Sequence, residues 1–196
     1  PFGGPEVSIE DAATRALFQT YTLQGGQALN EPIVVKDRKQ KDVAKLGCLM
    51  AYGPNKKIVN LTKKVSADGK LNWTAPAGGE WTLIAQFTGK TLQKVKRAAP
   101  GGEGYVMDHL DKGAVKRYLA KFDKAFKENG LTQIPNNFFN DSYEVYGADW
   151  TPTLLTEFAK RRGYRLENHF PEFLDDAKGA ARTDATARIV SDYRET

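Results

Sequence analysis

The segment Asn137-Phe138-Phe139-Asn140-Asp141-Ser142-Tyr143-Glu144 constrains the fold of this chain more than any other stretch. Its apolar part, Ile134 to Phe139, reads as a strand that delivers two carboxylates and a hydroxyl into a loop. Trp150-Thr151-Pro152 then opens a helix, with Thr151 as cap and Pro152 at the first helical position. A strand whose carboxyl end carries polar loop residues, followed by a helix leading the chain away, is how a barrel presents its chemistry.

The same alternation runs from residue 103 to the end. Gly104–Met107 reads as a short strand ending at Asp108-His109. Asp111 caps a helix with the stripe Val115, Leu119, Phe122 and Phe126, and Asn129-Gly130 closes it. The helix opened by Pro152 buries Leu154, Leu155 and Phe158 and ends at Gly163. A last helix runs from about Thr183, with Ala187, Val190 and Tyr193 inward. Two or three strand–helix units are visible, whereas a closed barrel needs eight.

Between residues 30 and 98 the pattern differs. Apolar runs at Ile33–Val35, Leu46–Tyr52, Ile58–Val65, Leu71–Trp73 and Trp81–Phe87 are short and separated by Gly, Pro and Asn. Asp68-Gly69 between two of them is a hairpin signal. The first segment reads as loop then helix, with Ser8 as cap and Ala12, Ala13, Ala16 and Leu17 as its apolar stripe before Gly25-Gly26. The expected fold class is therefore α/β: a partial (β/α)8 TIM-barrel-like catalytic domain with an inserted small antiparallel β-sandwich subdomain. Residues 1–29 start the barrel, 30–100 form the inserted subdomain and linker, and 101–196 supply the strand–helix units.

Charge narrows the partners. The net +5 is uneven: residues 36–70 carry ten Lys/Arg against three Asp, while 101–150 carry six basic and eight acidic residues. The region with the expected chemistry is slightly acidic and repels phosphate, so nucleic acid is not the expected partner. No apolar stretch approaches the ~20 residues a membrane helix needs. No charged-then-apolar leader is legible in this sequence, so none is expected within it, and a start at Pro1-Phe2-Gly3-Gly4 without Met reads as an internal segment. Cys48, the single cysteine, lies in an apolar run and reads as a small buried hydrophobe.

Asp141 and Glu144 stand three residues apart beyond a strand, where carboxylates serve as general acid, general base or cation ligand, or merely cap and solvate the loop. In glycoside hydrolysis one carboxylic acid protonates the leaving oxygen while a second carboxylate activates water or attacks. Tyr143, Tyr146 and Trp150 suit the C–H faces of a sugar. Asp108 and His109 end the preceding strand, placed either to contact substrate hydroxyls or to organise the turn. His169, beside Phe170-Pro171, reads as structural. Gly101-Gly102-Glu103-Gly104 precedes a strand and lacks the following lysine of a phosphate-binding loop.

These stretches together resemble the α-L-rhamnosidases of glycoside hydrolase family 106. The resemblance is carried by Gly3-Gly4-Pro5-Glu6-Val7-Ser8-Ile9-Glu10-Asp11-Ala12-Ala13, Gly104-Tyr105-Val106-Met107-Asp108-His109-Leu110-Asp111 and Asp141-Ser142-Tyr143-Glu144. Trp150-Thr151-Pro152, Phe158-Ala159-Lys160-Arg161-Arg162-Gly163-Tyr164 and Ser191-Asp192-Tyr193-Arg194-Glu195-Thr196 extend it. It implies a large secreted bacterial enzyme, periplasmic or extracellular, that removes terminal α-L-rhamnose from plant-type glycans with inversion. Carried over by position, Glu144 is the catalytic carboxylate, as acid or base, and Asp141 and Asp108 serve sugar or cation binding. His109, Tyr143, Tyr146 and Trp150 complete the expected substrate contacts. Calcium is associated with the family's site, Asp141 being the residue for it, and no organic cofactor is implied. The remainder of a parent enzyme would complete the barrel, so this fragment alone is expected to be inactive. The alternatives are a noncatalytic carbohydrate-binding protein and a basic nucleic-acid-binding module built on the lysine-rich β segment.

Overall fold

The structure is a computed structural model that describes residues 3–131, 137, 144–177 and 183–196. It is mixed α/β. In chain order the strands are β1 (Gly3–Gly4), β2 (Thr14–Gln24), β3 (Lys45–Gly53), β4 (Lys57–Asn60), β5 (Glu80–Lys90) and β6 (Tyr105–Val106). Helices α1 (Lys112–Glu128), α2 (Leu154–Arg162), α3 (Phe170–Ala177) and α4 (Asp184–Glu195) follow. The chain divides into two compact units, one of residues 1–15 with 89–151 and one of residues 16–88 with 152–196.

In the second unit the sheet runs β2-β5-β3-β4, and the β3–β4 and β3–β5 registers are antiparallel. Its core holds Tyr21, Leu23, Leu49, Ala51, Trp81, Leu83, Ala85 and Phe87, side chains that alternate inward along their strands. Gly53 is required here, because a Cβ would lie 2.6 Å from the Trp81 ring. The Asp68-Gly69 turn forms as its dipeptide predicts: Ser66 N donates to the Lys70 carbonyl at 2.9 Å, and Gly69 takes φ +85°. Helices α2, α3 and α4 pack within this unit, through Phe173 against Tyr193 and the 2.8 Å bond from Tyr164 to Asp192.

The first unit is small. β1 pairs antiparallel with β6, and Val7, Met107 and Ala114 pack beneath them. Asp111 caps α1 by accepting from Gly113 N at 2.7 Å, and Gly130 follows its end at φ +67°. The predicted stripe of α1 is only partly covered, since Leu119 and Phe122 are exposed.

Several expectations are corrected. Residues 14–24 form a strand, not a helix: Thr14, Phe18, Thr20, Tyr21 and Thr22 favour an extended chain, and Tyr21 and Leu23 point inward between exposed neighbours. Ile33–Val35 is not a strand, and Leu71 makes only an isolated bridge to Val65. Helix α2 starts at Leu154 with Thr153 as its cap residue, because the Thr151 side chain is buried elsewhere. Ala187 is exposed on α4, where Thr186, Ile189 and Val190 are the buried residues. Helix α3 is not among the expected elements, being short, with Pro171 in its first turn. Every strand pairing with a described register is antiparallel, so the described residues form a mixed α/β fold with antiparallel sheets. The strand expected at Ile134–Phe139 lies outside the described residues apart from Asn137.

Candidate functional site

All of the expected site residues that the structure describes fall in the first unit, with Asp108 and His109 just after β6. Asp108 follows that strand and is 2% exposed. Its Oδ1 accepts from Leu110 N at 3.0 Å, which turns the chain towards α1. The Thr14 hydroxyl lies 3.1 Å from Asp108 Oδ2 and is also in hydrogen-bond contact with the Trp150 carbonyl. One hydroxyl has one proton, and the carbonyl can only accept it. Thr14 therefore satisfies both neighbours when the carboxyl brings a proton of its own. Burial pushes the Asp108 pKa up, against the pull of the Leu110 amide and the Thr14 hydroxyl.

Thr14 and Trp150 form an isolated antiparallel bridge, and Asp149 N donates to the Thr14 carbonyl at 3.3 Å. The segment after Glu144 is thus sewn to the start of β2. The Trp150 ring is buried, whereas Tyr146 is 59% exposed with Lys96 Nζ 5.0 Å from its ring centre. Glu144 is exposed, and His109 is half-buried beside Asp108. Asp141 and Tyr143 lie outside the described residues. Of the predicted set, the structure gathers Asp108, Trp150 and their link Thr14 into one buried polar cluster, and leaves Glu144 and Tyr146 on an open turn.

That turn is held by a residue the sequence did not mark. Gln93 Nε2 donates to the Glu144 carbonyl at 2.6 Å, and Gln93 Oε1 accepts from Tyr146 N at 2.7 Å. Thr14 is a second unmarked residue. Both sit in ordinary polar contexts, and only the fold brings them to their partners. The loop before β2 is fixed from beneath by Lys90, whose buried ammonium donates to the carbonyls of Glu10 (2.6 Å) and Ala12 (3.0 Å). Arg117 on α1 grips Asp11 with three hydrogen bonds and keeps that carboxyl below its ordinary pKa.

Among the described residues no three His, Cys, Asp or Glu side chains converge as a metal site. Asp108 is buried, with the Leu110 amide on Oδ1 and the Thr14 hydroxyl on Oδ2, and Asp141, the residue expected for calcium, lies outside the described residues. In the second unit a cavity of about 640 Å³ is lined in part by Cys48, Arg165 and Glu167. Cys48 is buried as expected, and burial pushes its thiol up to about 12.

The model of glycoside hydrolase family 106, alpha-L-rhamnosidase, matches residues 50–196. The chain belongs to this family. The resemblance read from the sequence is therefore borne out, and the matched span includes Asp108, Glu144 and Trp150. A solved rhamnosidase from Novosphingobium sp. PP1Y shares the fold at a TM-score of 0.67 and 15% identity, over 98% of this chain and 35% of that one. A curated relative from Formosa agariphila, named "Putative beta-glucuronidase", is 25% identical over 241 residues, covering 99% of this chain. The chain spans 20% of that relative's length.

Proposed function

We propose that the protein carrying this chain is a bacterial glycoside hydrolase, an inverting exo-α-L-rhamnosidase acting on plant-type glycans, with Glu144 as one of its two catalytic carboxylates. The observation that carries this reading is the family match, which runs through the turn where Glu144 stands exposed. A carboxylate that reacts with a bound sugar must be reachable, and Glu144 meets that condition while Asp108 does not.

In the inverting reaction one carboxylic acid protonates the glycosidic oxygen as the bond to the anomeric carbon breaks. A second carboxylate takes a proton from water, which attacks that carbon from the opposite face. The aglycone leaves as an alcohol, and the sugar is freed with inverted configuration. The carboxyl groups stand roughly 6.5–9.5 Å apart to admit the water. Glu144 supplies one of them, as acid or base. Tyr146 offers an open ring for the sugar's C–H face, and its stacking on Lys96 keeps that ring in place. Asp108 and Trp150, joined through Thr14, and the half-buried His109 are the further residues assigned to sugar binding. Asp141 and Tyr143 retain their proposed roles with the sugar, Asp141 also for calcium, to which no step is assigned.

The reading places this chain in a (β/α)8-type catalytic domain, with residues 30–100 as an inserted β subdomain, completed by the remainder of a longer secreted enzyme. The test is the stereochemical course. Proton NMR of an aryl α-L-rhamnoside digest should show β-rhamnose first, before mutarotation. Initial α-rhamnose would overturn the inverting assignment, and no rhamnose at all would overturn the activity.

A further inference from the structure

Gln93 joins two parts of the first unit with one side chain. Its main-chain carbonyl accepts from Val106 N at 3.0 Å, two residues before Asp108. Its side-chain amide makes both bonds to the Glu144–Tyr146 turn, donating to one main-chain carbonyl and accepting from the next amide but one. An amide side chain carries a donor nitrogen and an acceptor oxygen side by side, which suits a carbonyl and an N–H two residues apart. The chain turns sharply to deliver it: Leu92 takes φ +56°, a left-handed conformation costly for leucine, and Gln93 N donates to Thr91 Oγ1 at 3.3 Å. Thr91 is itself anchored, its N–H donating to the Ala13 carbonyl at 2.8 Å. The main chain of Glu144 is thus tied through Gln93 to β6, while its side chain is exposed.

We propose that Gln93 is a positioning residue that sets the Glu144 carboxylate and the Tyr146 ring in register with the bound sugar. The inference rests on the assignment of Glu144 as a catalytic carboxylate. A carboxylate displaced by about 1 Å from its productive place loses roughly 100-fold in rate. Loss of the clamp therefore acts on kcat more than on KM.

The experiment uses the full-length enzyme and an aryl α-L-rhamnoside, with Gln93→Met, Gln93→Glu, Glu144→Gln and the double variant Gln93→Met/Glu144→Gln. Gln93→Met keeps the side-chain volume and removes both hydrogen bonds; Gln93→Glu keeps the acceptor and turns a lone pair towards the Glu144 carbonyl. The expected result is a fall in kcat of about 10- to 100-fold for Gln93→Met, at least as large for Gln93→Glu, with KM nearly unchanged. The double variant should be no slower than Glu144→Gln alone, because both changes act through the same carboxylate. Hydrogen exchange at the Tyr146 amide should quicken in Gln93→Met, which reads the clamp without reference to activity. A folded Gln93→Met enzyme with wild-type kcat, beside an inactive Glu144→Gln, overturns the role of Gln93 and leaves the glycosidase reading intact. An additive loss in the double variant overturns it too. Full activity in Glu144→Gln removes the catalytic assignment on which the inference stands.

Discussion

At the scale of single residues, proton supply governs the Asp108 cluster. A carboxyl held above its ordinary pKa in the folded state contributes stability at low pH, and that contribution is lost as pH rises through the folded pKa. Asparagine reproduces the neutral acid: its amide donates to the Thr14 hydroxyl, and its carbonyl accepts from Leu110 N. Asp108→Asn should therefore melt above the wild type at pH 8, by about 2–4 °C if roughly 1 kcal/mol is recovered. The difference should vanish towards pH 4. A variant less stable than the wild type at pH 8 would show that the cluster holds Asp108 charged. Cys48 gives a simpler test. With its thiol pushed up to about 12 and its side chain buried, it should react with Ellman's reagent at pH 8 roughly 100-fold or more slower than in the unfolded chain. Rapid labelling of the native protein would count against that packing.

At the scale of elements, the sequence was readable where one local rule decides the outcome. Asp111 and Gly130 bracket α1, Gly163 ends α2 in the left-handed conformation, and Asp68-Gly69 turns the chain as expected. It misled where two patterns overlapped. Ala12, Ala13, Ala16 and Leu17 mimic a helical stripe, yet pairing with the sheet claims the β-branched and aromatic residues that follow. Thr151-Pro152 resembled a helix start, but the Thr151 side chain faces inward near Asp108 and leaves Thr153 to begin the helix. The β1–β6 pair depends on a close approach that no pattern announces. A Cβ on residue 104 would fall on the Gly4 carbonyl, and one on residue 3 would fall on the Tyr105 carbonyl. Gly104→Ala should therefore lower stability by about 1–3 kcal/mol, read from urea unfolding at constant slope. An unchanged midpoint would mean that the strands separate without cost.

At the scale of the whole molecule, family membership was legible because its motifs are contiguous runs, whereas the site is not. Glu144 and Tyr146 are neighbours in sequence, but Gln93 reaches them across 51 or more positions, and Thr14 reaches Asp108 across 94. Such partners leave no periodic or motif signal. The central claim is that the exposed carboxylate of Glu144 does the chemistry, and its kinetics test that claim most directly. We would measure kcat/KM on an aryl α-L-rhamnoside for the full-length enzyme and its Glu144→Gln variant, both verified as folded. The account predicts a loss of about 1,000-fold or more for the variant, as expected for removal of a catalytic acid or base. Equal activity in the two proteins would contradict it.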